Sequence, residues 1–218
     1  MELLYLDNSI AVCVKPAGVL STDEPGGAPE LLRAQLGDPT ATVCTVHRLD
    51  RVVGGVLLLA RTKAAASALG RQVMDGRFHK AYLAVVHGAP ETPEGSFTDL
   101  LRRDKRECKT YIAEAPGRDA REAISDYRLL RSRDGLSLLY ITLRTGRTHQ
   151  IRAQFAAHGL PLVGDRKYGT LQDGETPIAL WSHRIRFFHP DTGAEMEFRL
   201  PPPEQAPWTA FRMEENEP

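Results

Sequence analysis

Three short clusters carry the side chains most suited to chemistry on a polar substrate. His47-Arg48-Leu49-Asp50 precedes an apolar run, Lys80-Ala81-Tyr82 opens another, and Arg147-Thr148-His149-Gln150-Ile151-Arg152 opens a helical stretch. A positioned carboxylate such as Asp50 can serve as nucleophile or electrostatic stabiliser. Near the start of a buried strand it is costly unless a cation or donor pairs with it, and Arg48 and Arg152 are the candidates. Guanidinium groups at a helix N-terminus oppose the helix dipole, so Arg147 and Arg152 point to an anionic partner. Taken singly, each cluster also fits a plainer role. Asp50 would cap a turn, Tyr82 would pack in a core, and the arginines would be surface charge.

Other chemistries find no support. The seven histidines include no H-E-x-x-H or comparable spacing, so no metal site is expected. Gly26-Gly27 and Gly54-Gly55 belong to neither a dinucleotide fingerprint nor a phosphate-binding loop, and no serine sits in a G-x-S-x-G elbow. Cys13, Cys44 and Cys108 are odd in number and widely spaced, which suits reduced structural thiols. The longest apolar runs are too short to span a bilayer, and Met1-Glu2-Leu3-Leu4 lacks a basic secretory start. A cytoplasmic enzyme without cofactor is the expectation. With 218 residues, 42% of them hydrophobic, a single domain over 1–218 can bury its own core.

The elements that must position these clusters are mostly strands. Tyr5–Leu6 and Ile10–Val14 read as short strands closed by Lys15-Pro16-Ala17-Gly18, and 21–29 reads as a loop. Gly55–Ala60 is a buried strand, followed by an alanine-rich helix with Thr62 as N-cap and its end near Gly76. Tyr82–Val86, Lys109–Ala113, Ala123–Leu130 and Leu136–Leu143 read as successive strands of an antiparallel sheet. Thr148 is the expected cap of a helix running to His158, with Ile151 and Phe155 on its buried side and Gly159 as its stop. Ile178–Phe188 and Glu195–Leu200 read as the last strands, and a Pro-rich 201–207 closes the domain.

Net charge is zero, yet it is segregated. Residues 1–46 carry 2 basic and 6 acidic side chains, 101–152 carry 13 and 7, and 187–218 carry 2 and 7. A basic middle between acidic flanks permits contact with a polyanion, although such a run also suits a solvated face.

In their order along the chain, these clusters resemble the RNA pseudouridine synthases of the large-subunit ribosomal RNA type. The resemblance rests on Val14-Lys15-Pro16-Ala17-Gly18, His47-Arg48-Leu49-Asp50, Lys80-x-Tyr82 and Gly146-Arg147-Thr148-His149-Gln150-Ile151-Arg152. It continues through Pro161-Leu162-Val163-Gly164-Asp165-x-x-Tyr168-Gly169 and His189-Pro190. It covers nearly the whole chain and implies an α+β fold: a mixed, largely antiparallel sheet with packed helices, acting as a monomer without metal or cofactor. It implies Asp50 as the catalytic carboxylate, with Arg152 fixing it and Tyr82 stacking on the uracil. His47, Arg48, Lys80, Arg147 and His149 would contact RNA, and a flipped uridine in a ribosomal or transfer RNA stem-loop would be the substrate. The family's frequent small N-terminal RNA-binding domain is expected to be absent. One departure stands out: where the family usually has Thr-Ser-Gly after two variable residues, this chain has Val53-Gly54-Gly55. That loss of two hydroxyls motivates an alternative, a catalytically silent RNA-binding protein of the same fold.

Overall fold

Two strands joined by a tight turn begin the chain: β1 (Glu2–Leu6) and β2 (Ile10–Lys15). Asp7 builds that turn by accepting the backbone N–H groups of Ser9 and Ile10, both at 2.8 Å, the Tyr5 hydroxyl at 2.9 Å and His189 Nε2 at 2.7 Å. Burial works against this carboxylate, but the bonds it accepts hold its pKa down to about 2. Next come α1 (Ala28–Leu36), β3 (Cys44–Thr45), β4 (Gly54–Ala60), α2 (Lys63–Met74) and β5 (His79–His87). Four further strands follow, β6 (Glu94–Asp104), β7 (Lys109–Ile112), β8 (Ala120–Arg133) and β9 (Leu136–Leu143), with β6 between β7 and β8. The last regular elements are α3 (Gln150–Ala157), β10 (Leu180–Phe188) and β11 (Glu195–Arg199).

The structure, a computed structural model, describes residues 1–169 and 173–211. The chain forms two compact units, one of Met1–Lys80 with Trp181–Pro201, the other of Ala81–Leu180 with 202–211. In the first unit the strand order is β1-β2-β4-β10, with β11 on β10 and β3 on β4. Every pairing there is antiparallel except β4 with β10, which run parallel with Gly54 opposite Trp181 and Gly55 opposite Ser182. β4 is buried at all seven positions, as its unbroken apolar run requires of a strand covered on both faces. Its Val56, Leu58 and Ala60 join Ala65 and Leu69 of α2 and Ile185 and Phe187 of β10 in one core. Thr62 caps α2 by accepting the Ala65 N–H at 3.0 Å, as expected. Gln72 then ties the helix to Phe188, donating to its carbonyl at 2.7 Å and accepting its N–H at 2.8 Å.

In the second unit the order is β5-β9-β8-β6-β7, all antiparallel. The fold is thus mixed α+β and largely antiparallel, as the resemblance implies. Several elements differ from expectation, among them β3, which has no expected counterpart. The loop expected over 21–29 ends early, because Pro29 and the left-handed Gly37 (φ 68°) bracket a short helix, α1. β6 has no counterpart among the expected strands, since its charged end at Arg102–Asp104 obscures the alternation that precedes it. Helix α3 begins after a left-handed His149 (φ 55°), not at Thr148, and the Gln150 side chain takes the Arg147 N–H at 2.9 Å.

Candidate active site

The first unit presents Asp50 on a turn whose backbone is pinned on both sides. Ser21 Oγ donates to the Leu49 carbonyl at 2.9 Å and accepts the Leu49 N–H at 3.0 Å. Beyond Asp50, the Arg51 carbonyl accepts the Gly18 N–H at 2.7 Å, and Arg51 Nε returns a bond to the Gly18 carbonyl at 2.9 Å. The turn closes with Val53 N–H on the Asp50 carbonyl at 3.0 Å. Its half-buried carboxylate therefore leaves a rigid stretch of chain.

Lys15 completes this arrangement, although its sequence context alone does not mark it as a site residue. It is fully buried at the end of a strand of apolar residues, and its ammonium donates to the carbonyls of Pro16 (2.9 Å), Val19 (2.6 Å) and Arg51 (3.3 Å). Burial pushes its pKa down to about 8, while the Asp50 carboxylate and Cys13 pull it back up. A lysine closing an otherwise apolar strand, directly before Pro16, was the available signal. Three donors matched to three carbonyls bind together the two loops that carry Gly18 and Asp50.

His47 lies inside the unit, at 6% exposure, and not at a surface where RNA would reach it. Its Nε2 accepts the Leu58 N–H of β4 at 3.1 Å, which assigns the proton of the neutral ring to Nδ1, and its ring lies 5.0 Å from that of Phe78. Burial first, and the nearby Lys80 ammonium second, push the imidazole down to about 3. The unfolded chain binds a proton near the ordinary value of 6.5 while the folded chain does not, so folding stability must drop as pH falls below that value. Urea unfolding between about pH 6 and 4 should show a slope steeper by ~1.4 kcal/mol per pH unit in wild type than in His47→Gln. Equal slopes would show that the folded imidazole does take up the proton. Arg48, by contrast, is exposed and has no ionic partner among the described residues, and Lys80 is half-buried with its pKa lowered by burial.

The second unit holds the remaining expected residues. Tyr82 of β5 is buried to 6% exposure and pairs with Ile141, which pairs with Tyr127. Directly paired residues share a sheet face, and Tyr127 packs edge-on against Phe155 of α3. Tyr82 thus belongs to the face on which α3 lies. Arg152, in the first turn of α3, makes a two-pronged pair with Asp165: Nε to Oδ2 and Nη2 to Oδ1, each 2.8 Å, with side-chain exposures of 7% and 0%. This supplies the anion that a guanidinium at a helix start demanded. Asp165 also accepts the Lys167 and Tyr168 N–H groups; burial raises its pKa, yet Arg152 and these bonds bring it below the usual carboxylate range.

Tyr168 gathers several of these groups. Its hydroxyl accepts the Thr110 N–H at 2.6 Å and meets His149 Nδ1 at 2.8 Å, while the Arg152 guanidinium lies 5.2 Å from its ring centre. Arg147 is exposed and donates to the Glu122 carbonyl at 2.8 Å. Beneath them, the buried Gln150 and Gln154 fix α3 to β8: Gln150 donates to the Ile124 carbonyl and Ser125 Oγ, and Gln154 Oε1 accepts Ser125 Oγ–H at 2.7 Å. Asp165 and Tyr168 are not among the expected site residues. Their sequence offers a hint only through their place in the Pro161–Gly169 segment.

The sequence pattern of the RNA pseudouridylate synthases matches residues 9–157, more than half of the chain. The chain belongs to the RNA pseudouridylate synthase family. This synthase is 34% identical to a dual-specificity RNA pseudouridine synthase of Yersinia pestis, over 91% of this chain and 98% of the relative. It is also 34% identical to ribosomal large subunit pseudouridine synthase D of Xanthomonas campestris, over 94% of this chain but 66% of that longer protein. Among solved structures, human RNA pseudouridylate synthase domain containing 1 superimposes with a TM-score of 0.78 at 25% identity, covering 93% of this chain and 83% of its own. The synthase is by family an isomerase. It needs no redox step, because its reaction breaks the bond from uracil N1 to ribose C1′ and forms one from C1′ to C5. The C5 proton is released and N1 gains one, so the product has the composition of the substrate.

Proposed function

We propose that the protein converts specific uridines of a structured RNA to pseudouridine, as one catalytic domain working as a cytoplasmic monomer, with Asp50 as its catalytic carboxylate. One observation carries this reading: Asp50 leaves a turn fixed at Leu49 and Arg51, with a buried lysine as its electrostatic partner. Such preorganisation holds a charged group where charge develops on the sugar or base, without reorganisation during the reaction. Tyr82 stacks on the uracil, and Arg152, itself oriented by Asp165, is the supporting cation of the site. Arg48, Lys80, Arg147 and His149 hold the RNA around the flipped nucleotide. His47 acts as a positioning residue, since its ring is committed to β4.

The name of the Xanthomonas relative favours ribosomal RNA as substrate, and transfer RNA is the second choice, on the sequence resemblance. The test is pseudouridine mapping of total RNA from cells lacking the protein, complemented with wild type or Asp50→Ala. A position that loses pseudouridine and regains it with wild type alone is the expected result and names the substrate. No change at any position would favour a catalytically silent RNA binder.

A further inference from the structure

Residues 102–109 hold five basic and two acidic side chains in eight positions, the densest positive stretch of a chain whose net charge is zero. They form the end of β6, the connecting turn and the start of β7, and Arg102, Arg103, Lys105 and Arg106 are all exposed. The two carboxylates are already engaged within the hairpin. Asp104 Oδ1 accepts the N–H groups of Arg106 and Glu107 at 2.8 and 3.1 Å, and Glu107 accepts the Tyr111 hydroxyl. Among the described residues, none of those four cations has an ion-pair partner. Unneutralised like charges on a short hairpin repel one another, and a polyanion relieves that repulsion.

The hairpin is also held firmly at its base. Leu101 packs with Ala123 and Ala153, Thr110 Oγ1 donates to the Thr148 carbonyl at 3.0 Å, and Tyr168 takes the Thr110 N–H. Lys167 donates to the Cys108 carbonyl at 2.8 Å, and the Lys109 ammonium lies 5.4 and 5.2 Å from the ring centres of Tyr111 and Tyr168. Arg102 and Tyr111 are directly paired and share a face, which sets a guanidinium beside an aromatic ring. Through Tyr168, the same base contacts His149 and Arg152 of the segment proposed above to serve the reaction.

The geometry points to the β6–β7 hairpin as an arm that grips the phosphate backbone of the RNA, through Arg102, Arg103, Lys105 and Arg106. The inference rests on the RNA reading above and adds a contact surface that none of the site residues supplies. Its contribution is sequence-independent: it supplies affinity and orientation, and leaves the choice of uridine to the site.

The test compares two variants with equal loss of charge. Arg103→Gln/Arg106→Gln alters the arm, and Arg71→Gln/Arg77→Gln alters exposed arginines at and after the end of α2. Binding of a fluorescently labelled RNA stem-loop is followed by anisotropy across a potassium chloride series. The arm variant should bind about tenfold more weakly near ~0.1 M salt, and its log–log salt slope should be shallower by about 1.4 to 1.8, two phosphate contacts at ~0.7 to 0.9 each. The control should match wild type within about twofold in affinity and keep its slope. Wild-type binding by the arm variant, or an equal loss in the control, would overturn the proposal. Because the assay needs no turnover, it separates the two readings. An arm effect without any mapped pseudouridine would sink the catalytic reading alone, and mapped pseudouridine with an indifferent arm would sink only the arm.

Discussion

Purified Asp50→Asn protein is expected to form pseudouridine at least about 10³-fold more slowly than wild type under single-turnover conditions, while binding RNA within about threefold of wild type. Asn has nearly the shape of Asp but no charge. The turn is closed by the backbone carbonyl of residue 50, and the anchors at Leu49 and Arg51 are supplied by Ser21, Gly18 and Lys15, so none of them depends on the carboxylate. The fold around the site should therefore persist, and the loss should be one of chemistry. Lys15 gives an internal check. Asp50 is what pulls its ammonium pKa up against burial, so removing that charge makes the buried cation harder to keep. A modest fall in melting temperature is expected for Asp50→Asn, and a smaller one for Asp50→Glu, which keeps the charge. Retention of near-wild-type rate in Asp50→Asn would rule out a catalytic role for this carboxylate.

How much of this can be read from residues alone depends on whether local pattern or tertiary contact decides each feature. β9 occupies Leu136–Leu143 as its apolar alternation indicates, and α2 starts at the cap that Thr62 supplies. Those elements are set by neighbours in sequence. The start of α3 is displaced by one residue: His149 adopts a left-handed conformation and bonds to Tyr168, nineteen positions away, a contact that no local pattern specifies. Lys15 and His47 show the same limit. A lysine is ordinarily a surface residue and a histidine beside an arginine reads as a nucleic-acid contact, yet both are buried by bonds to distant backbone. The anion demanded by Arg152 is foreseeable from the helix dipole. That it would be Asp165 is not, since many carboxylates in the chain could have met the same need.

The departure at Gly54 has a packing explanation, and the neighbouring Gly55, which the family pattern shares, yields the second large effect. Gly55 sits at φ 120°, where a Cβ would lie 2.7 Å from the Ser182 nitrogen and 2.8 Å from its carbonyl carbon. Ser182 cannot yield, because its hydroxyl donates to the Val56 carbonyl at 2.9 Å and its backbone belongs to the parallel pairing of β10 with β4. Gly55→Ala therefore combines backbone strain with a backbone clash and should destabilise the protein by about 3 kcal/mol or more, read as a fall in the urea midpoint. Gly54 differs in kind. A Cβ there would come within 2.5 Å of Cζ3 of the Trp181 ring and 3.2 Å of the Lys15 carbonyl, and the indole is held by its Nε1 bond to the Leu200 carbonyl at 3.1 Å. The ring occupies the space that a serine would need, so Gly54→Ser should cost roughly 1 to 3 kcal/mol by overpacking. Trp181→Leu removes the obstruction, so the double variant should be more stable than the sum of the two single changes allows, by about 1 kcal/mol or more of coupling. Additive losses would mean that the indole is not what excludes a side chain at position 54. If the coupling is found and the double variant still forms pseudouridine, Gly54 beside the catalytic turn is an accommodation to Trp181, and the hydroxyl missing at position 54 is no argument against activity.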